Sequence, residues 1–249
     1  MKRLLIRADD LGFSEGVNYG IEKSVKDGCI RTVGVMTNMK ASKHGVGLLK
    51  YMDLCFGQHT NICVGRPLTD PKLIPSITKD DGTFKSSSEY RSAKEDFVVL
   101  DEVILEIEAQ YRRFKELLGC EPCYFEGHAV ASANFFKGLK IVAETHGLRY
   151  LEMKFDGSPS RFGESELYMH MESMKPDYDP MQSVRNIQFH EGENEADVFV
   201  CHPGYLDAYI LKMSSLTVPR AKEVEMLCSR TLKDWVSANE IQMIRYDDV

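Results

Sequence analysis

The sequence predicts an α/β fold, a largely parallel sheet with helices packed outside it. Short apolar runs alternate with amphipathic helical stretches along the whole chain. Most of the runs stop abruptly at polar residues, and no internal repeat or linker interrupts the alternation. One domain spanning residues 1–249 is therefore expected. Six or seven strands can be read off, too coarse a count to separate an open sheet from a closed or distorted barrel.

Leu4, Leu5 and Ile6 form the first strand, which runs into Asp9, Asp10 and Gly12. Ser14 is a suitable N-cap for a helix through Val17, Ile21 and Val25, with Gly28 as its left-handed stop. A strand is expected at Val33 to Met36, a helix at Ala41 to Tyr51, and a strand at Leu54 to Phe56 that stops at Gly57, Gln58 and His59. From Arg66 to Val98 the chain is rich in Pro, Asp, Ser, Lys and Gly without a period, as binding loops often are. The clearest helix runs from Asp101 to Leu118, with Gly119 as its stop and a polar face, including Glu102 and Glu106, that reads as solvated.

Tyr124 and Phe125 make a short strand ending at Glu126, Gly127 and His128, followed by a helix from Asn134 to His146 and a strand at Arg149 to Met153. A second irregular region covers Asp156 to Asn186. Ala196 to Cys201 is a strand ending at His202, Pro203 and Gly204. A helix from Thr217 to Val236 and a strand at Ile241 to Tyr246 complete the series.

The chain is 43% hydrophobic and 28% charged, close to the globular average, so wholesale disorder is excluded. A formal net charge of −7 argues against a nucleic-acid backbone as the main partner, which needs a positive footprint. Arg7, Asp9 and Asp10 break the apolar N-terminal run before a signal-peptide core forms, and no segment approaches the ~20 apolar residues of a membrane span. The seven cysteines are odd in number and scattered, which fits reduced thiols in a cytoplasm. Cys120 and Cys123 have C-x-x-C spacing but no second pair, so a turn after a helix is the simpler reading than a zinc site.

The chemistry is carried by position. Asp9 and Asp10, His59, His128 and His202 each sit where an apolar run stops, and in a parallel sheet those ends share one face. One such histidine is more often a packing residue; three of the chain's seven at equivalent places point to a site. Two imidazoles and a carboxylate suit zinc, and in a facial arrangement iron, manganese or cobalt. Three protein ligands leave a position for water, which a metal makes acidic near neutral pH. Neighbouring carboxylates need different roles: one neutralised by the metal, the other free to take a proton, with His202 as a proton donor opposite. His44, His146, His170 and His190 fall in helical or irregular stretches and read as surface or loop, although His170 or His190 could touch a substrate.

The segments RADDLGFSEGVNYGI, GQHTNI, FEGHAVAS and VCHPGY, in that order from the first strand to the last, resemble the YdjC family of carbohydrate deacetylases, which includes the chitooligosaccharide deacetylases. GRPLT and QYRRFKELLG add to the resemblance, which covers nearly the whole chain. It implies a distorted (β/α) barrel and a metal-dependent hydrolase that removes acetyl groups from N-acetylated amino sugars or short oligosaccharides. Carried over by motif position, Asp10, His59 and His128 take the metal, Asp9 is the catalytic base, and His202 belongs to the late active-site motif. The expected cofactor is a divalent ion, magnesium or zinc. The expected partners are a small N-acetylated sugar, with no nucleic acid and no membrane, and a homodimer is a compatible assembly. One departure stands out: family members often carry further histidines after the third ligand, where this chain has Ala129, Val130, Ala131 and Ser132.

Two other readings compete, a metal-dependent phosphoesterase acting on a sugar phosphate and a catalytically inactive sugar-binding or regulatory protein of the same fold. No GxSxG elbow, HExxH helix or phosphate-binding GxxxxGK[ST] loop is present. The two irregular regions are expected to cover the catalytic face and favour an enclosed pocket over a polymer groove. Tyr90, Phe84, Tyr168 and Tyr178 are candidates to stack on a sugar, and Arg66, Lys72 and Arg161 to meet a phosphate.

Overall fold

A computed structural model describes residues 1–154 and 156–249. Its strands are β1 (Arg3–Leu11), β2 (Thr32–Val35), β3 (Cys55–Thr60), β4 (Phe125–Gly127), β5 (Ser160–Phe162), β6 (Ser165–His170), β7 (Glu195–Cys201) and β8 (Gln242–Met243). They form one curled, mostly parallel sheet, a half-barrel in the order β4-β3-β2-β1-β7-β6-β5, with β8 beside the start of β1. Only the β5–β6 pair is antiparallel. The helices α1 (Glu15–Lys26), α2 (Ser42–Leu49), α3 (Ser87–Ser92), α4 (Leu100–Leu118), α5 (Ala133–Thr145), α6 (Pro180–Arg185), α7 (Ala208–Met213), α8 (Val218–Cys228) and α9 (Arg230–Ala238) connect the strands.

The period of two along each strand separates two cores. Leu4, Ile6 and Ala8 of β1 and Phe199 and Cys201 of β7 pack in the larger core that includes the helices. Leu5, Cys55, Tyr124, Ala196, Val198, Val200 and Tyr246 form a second core on the opposite face, inside the curl. Arg7 and Asp9 keep the phase of Leu5, so they lie on the inner face above that second core.

The predicted helices form with shifted ends. Ser14 caps α1 by accepting from the Val17 N–H, and Gly119 ends α4 in the left-handed region. Gly28 is not left-handed; α1 ends at Asp27 instead. The helix expected from Thr217 to Val236 is two, because Ser229 is extended and its hydroxyl caps α9. Glu106 is buried rather than solvated, accepting from the Leu68 and Thr69 N–H groups and from Gln110. Arg149 to Met153 is not a strand; only Tyr150 bridges to Phe125. The last strand shrinks to Gln242–Met243 and passes into a short 3-10 turn at Tyr246–Asp248. The second irregular region contains the β5–β6 hairpin, turned at Gly163 with φ +61°. Among the described residues no helix is long and apolar enough to cross a membrane.

Candidate metal centre

Asp10, His59 and His128 meet at the carboxyl end of the sheet, all buried. Asp10 Oδ1 lies 3.2 Å from His59 Nε2 and 3.1 Å from His128 Nδ1, and the two nitrogens are 2.9 Å apart. Three ligands about 2.1 Å from one ion and at right angles would stand about 3 Å from each other, so this triangle fits a facial donor set. Asp10 Oδ1 is buried and faces the two imidazole nitrogens without a well-aligned hydrogen bond among the described residues, as a metal-directed oxygen would.

Adjacent residues of a regular strand point to opposite faces, yet Asp9 and Asp10 both reach this site. The β1–β2 register breaks between Ala8 and Leu11, and Asp10 has φ 77°, which swings its side chain inward. Aspartate tolerates this left-handed backbone better than most residues, and functional sites are where such strain is retained.

Other buried groups hold His59 and Asp10. His59 Nδ1 is bonded to the Glu126 carboxylate, which leaves Nε2 for an ion. Arg220 of α8 donates to Asp10 Oδ2 at 2.7 Å, to Leu216 O and to His202 O. Arg7 donates to Asp9 Oδ2 at 2.7 Å and to the Tyr246 hydroxyl at 3.1 Å, and lies 3.8 Å from Glu126. Asp9 Oδ1 has no partner. A Cβ at Gly34 would stand 2.8 Å from that oxygen, so the close approach of β2 requires glycine.

Three buried carboxylates thus face two guanidinium groups, an excess of negative charge that favours a cation. Burial would raise the Asp10 carboxyl, but Arg220 and His128 outweigh it and hold the group well below its ordinary range. Burial would lower both histidines, but Glu126, Asp9 and Asp10 push His59 well above its usual value, and Asp10 pushes His128 up to about 9. Around His202 burial wins, helped by Arg220 and His59, and its pKa falls to about 4. His202 is thus neutral at pH 7, with Nδ1 3.3 Å from Ser173 Oγ. Beneath it, Glu223 accepts the His202 N–H at 2.6 Å and the Tyr178 hydroxyl at 2.9 Å, and burial raises it to about 7.

The donors open on a cavity of about 650 Å³. Both irregular regions reach it, the first through Ser87 and Arg91, the second through Met171, Ser173 and Met174. Ala129, Val130 and Ala131, where histidines were noted as absent, line its wall, and Ser132 caps α5. The four aromatic candidates and the three basic ones named from sequence are not in its lining. Phe84 is buried, Tyr90 bonds Ile62 O, Tyr178 bonds Glu223 and Tyr168 stacks on His190. His44, His146, His170 and His190 also stay outside, the last two sharing Asp197. Sequence reasoning missed Arg7, Glu126, Arg220 and Glu223. Arg7 and Glu126 carried a signal, each standing two residues before a site residue and therefore on the same strand face.

Fold and site together define a class, a half-barrel with a buried two-histidine, one-carboxylate cluster at the carboxyl end of its sheet. The chain belongs to the family described as YdjC-like protein, whose model matches residues 3–238. It is 30% identical over 263 residues to carbohydrate deacetylase 2 of Listeria innocua, covering 99% of this chain and 98% of that protein. It is 29% identical over 261 residues to the chitooligosaccharide deacetylase of Escherichia fergusonii, covering 100% of both. Among solved structures it superposes on an Enterococcus faecalis protein described as a cellobiose-phosphate cleavage protein, with a TM-score of 0.81, 20% identity, and 99% and 98% of the two chains covered. A family 4 acetyl xylan esterase from Clostridium thermocellum, in complex with a cobalt ion, shares the fold more distantly, with a TM-score of 0.51, 10% identity, and 98% and 87% covered.

Proposed function

We propose that residues 1–249 form one catalytic domain that removes acetyl groups from N-acetylated amino sugars or short oligosaccharides, using a divalent ion held by Asp10, His59 and His128. The observation that carries this reading is the donor triangle with an unpartnered Asp9 oxygen beside it: an Asp9 oxygen lies within 4.8 Å of a His59 nitrogen. The deacetylase names of the full-length relatives support the acetamide as the bond cleaved.

A bound divalent ion supplies Lewis acidity to the acetyl carbonyl and lowers the pKa of water. Asp9, fixed through Oδ2 by Arg7, takes the proton of the attacking water on Oδ1. Arg220 and Glu126 keep Asp10 and His59 oriented. His202 enters neutral, so as a donor to the leaving amine it must first be protonated as negative charge develops in the cavity. Two imidazoles and a carboxylate suit zinc or cobalt better than magnesium, a hard ion that takes oxygen ligands. A cavity of about 650 Å³ accommodates a short saccharide. Arg91, exposed at its edge and without a hydrogen bond or ion pair among the described residues, is positioned for a phosphate on the sugar.

An acetate-release screen over N-acetylated mono- and disaccharides, free and phosphorylated, tests this with several added metals. Asp9→Asn is expected to keep its metal and lose about 10²–10⁴-fold in kcat. Arg91→Ala is expected to raise KM for phosphorylated sugars alone. Release of phosphate in place of acetate would favour a phosphoesterase, and stoichiometric metal without turnover would favour a sugar-binding protein.

A further inference from the structure

At the opposite end of the sheet from the metal centre, three separate segments bring two thiols together. Cys55 opens β3, buried in the inner core. Cys123 lies two residues before β4, half-buried, and its backbone N–H donates to Phe56 O at 2.8 Å. The two sulfurs and an Asp247 oxygen all lie within 4.8 Å of one another. Cys120, the other half of the C-x-x-C spacing, is exposed and outside this group.

We propose that Cys55 and Cys123 are a reactive thiol pair that low-molecular-weight disulfides oxidise, with Cys123 as the attacking sulfur and Cys55 as the resolving one. Continued back from Gln58 opposite Phe125, the β3–β4 register sets Cys123 opposite Phe56, one residue along from Cys55. A lateral spacing of about 4.8 Å with a rise of about 3.3 Å puts the two Cα atoms roughly 5.8 Å apart, inside the roughly 4.4–6.8 Å that a disulfide spans, so closure needs little backbone movement. Asp247 is already engaged by Arg245 through Nε at 2.9 Å and Nη2 at 2.7 Å. With both Asp247 oxygens held by a guanidinium, the two sulfurs are better suited to thiol exchange than to a metal. The hydrogen bond from Cys55 lowers the Cys123 thiol to about 7 against the effect of burial, and Arg149 assists. The same bond and burial raise Cys55. Cys123 is also the more exposed of the two sulfurs, which makes it the one an oxidant reaches first.

The chemistry balances as two exchanges. The Cys123 thiolate attacks one sulfur of oxidised glutathione, forming a mixed disulfide and expelling one glutathione thiolate. Cys55 passes its proton to that thiolate and attacks Cys123 Sγ, expelling the second. Cys55 and Cys123 lose two electrons and two protons, and one glutathione disulfide becomes two thiols. The product ties the root of β3 to the root of β4, the strands that carry His59 and Glu126.

The test uses the full chain, oxidised glutathione and non-reducing peptide mapping by mass spectrometry, and needs no enzymatic activity. The expected result is a Cys55–Cys123 cross-linked peptide that dithiothreitol reverses and that survives in Cys120→Ser. Cys55→Ser is expected to hold a persistent glutathione adduct on Cys123. Iodoacetamide at pH 7 should alkylate Cys123 in the unmutated chain faster than the more exposed Cys120, whose thiol burial raises. That measurement stands even where Cys55→Ser fails to fold. A Cys120–Cys123 bridge, adducts confined to Cys120, or no modification of Cys123 would each overturn the proposal.

Discussion

Glu126 is the most informative residue to perturb, because it bonds His59 through Nδ1, the nitrogen turned away from Asp10 and His128. Its carboxylate bonds His59 Nδ1 and lies 3.8 Å from Arg7. In Glu126→Gln the amide carbonyl can still accept from His59, but the NH₂ is then turned toward Arg7 and the imidazole loses the charged partner that raises its basicity. Loss of such a supporting carboxylate commonly weakens metal binding about 10- to 100-fold, or about 1.4–2.7 kcal/mol. Direct loss of a donor in His59→Ala or His128→Ala should cost far more and remove tight binding. A competition titration with a chromophoric chelator at fixed pH reads all three variants. Unchanged affinity in Glu126→Gln, with a fold unchanged by circular dichroism, would refute the role of Glu126 as the group that orients His59.

Gly34→Ala places a methyl 2.8 Å from Asp9 Oδ1 and 3.2 Å from His59 Cβ. Since displacements approaching 1 Å can cost about 10²-fold, kcat/KM for acetate release should fall about 10- to 100-fold in a folded protein. Glu223 tests the electrostatics under His202. Its folded pKa of about 7 exceeds the ordinary glutamate value of 4.5, so its stabilising contribution is full below pH 4.5 and is lost as pH rises to about 7. Glu223→Gln removes that titration, so its stability relative to the unsubstituted chain should rise by on the order of 3 kcal/mol between pH 4.5 and 8. Urea denaturation at the two pH values measures the difference, and a constant difference would place the Glu223 pKa near its ordinary value.

That these residues meet was legible because strand ends are marked by abrupt changes from apolar to polar residues, and parallel order puts those ends on one face. Asp9, Asp10, His59, His128 and His202 all surround the one cavity. The inward turn of Asp10 was not legible: strict alternation sends it away from Asp9, and only the register break with φ 77° reverses that. Arg220 and Glu223 lie on α8, far away in sequence, where a buried charge looks like any surface charge until its partner is known. The β5–β6 hairpin was missed because its two strands are short and the Ser, Pro and Gly residues around them hide the period. Glu106 misled the helix reading for a related reason. Its charge is satisfied by loop N–H groups, not by water.

The central claim is that one divalent ion on Asp10, His59 and His128 drives deacetylation. The most direct measurement is acetate release from an N-acetylated disaccharide by chelator-stripped protein as metal is titrated back, with bound metal counted by elemental analysis. The expected result is negligible release from the stripped protein, a rise that saturates at one ion per chain, and no recovery in His128→Ala. Full turnover by the stripped protein, or full recovery in His128→Ala, would contradict it.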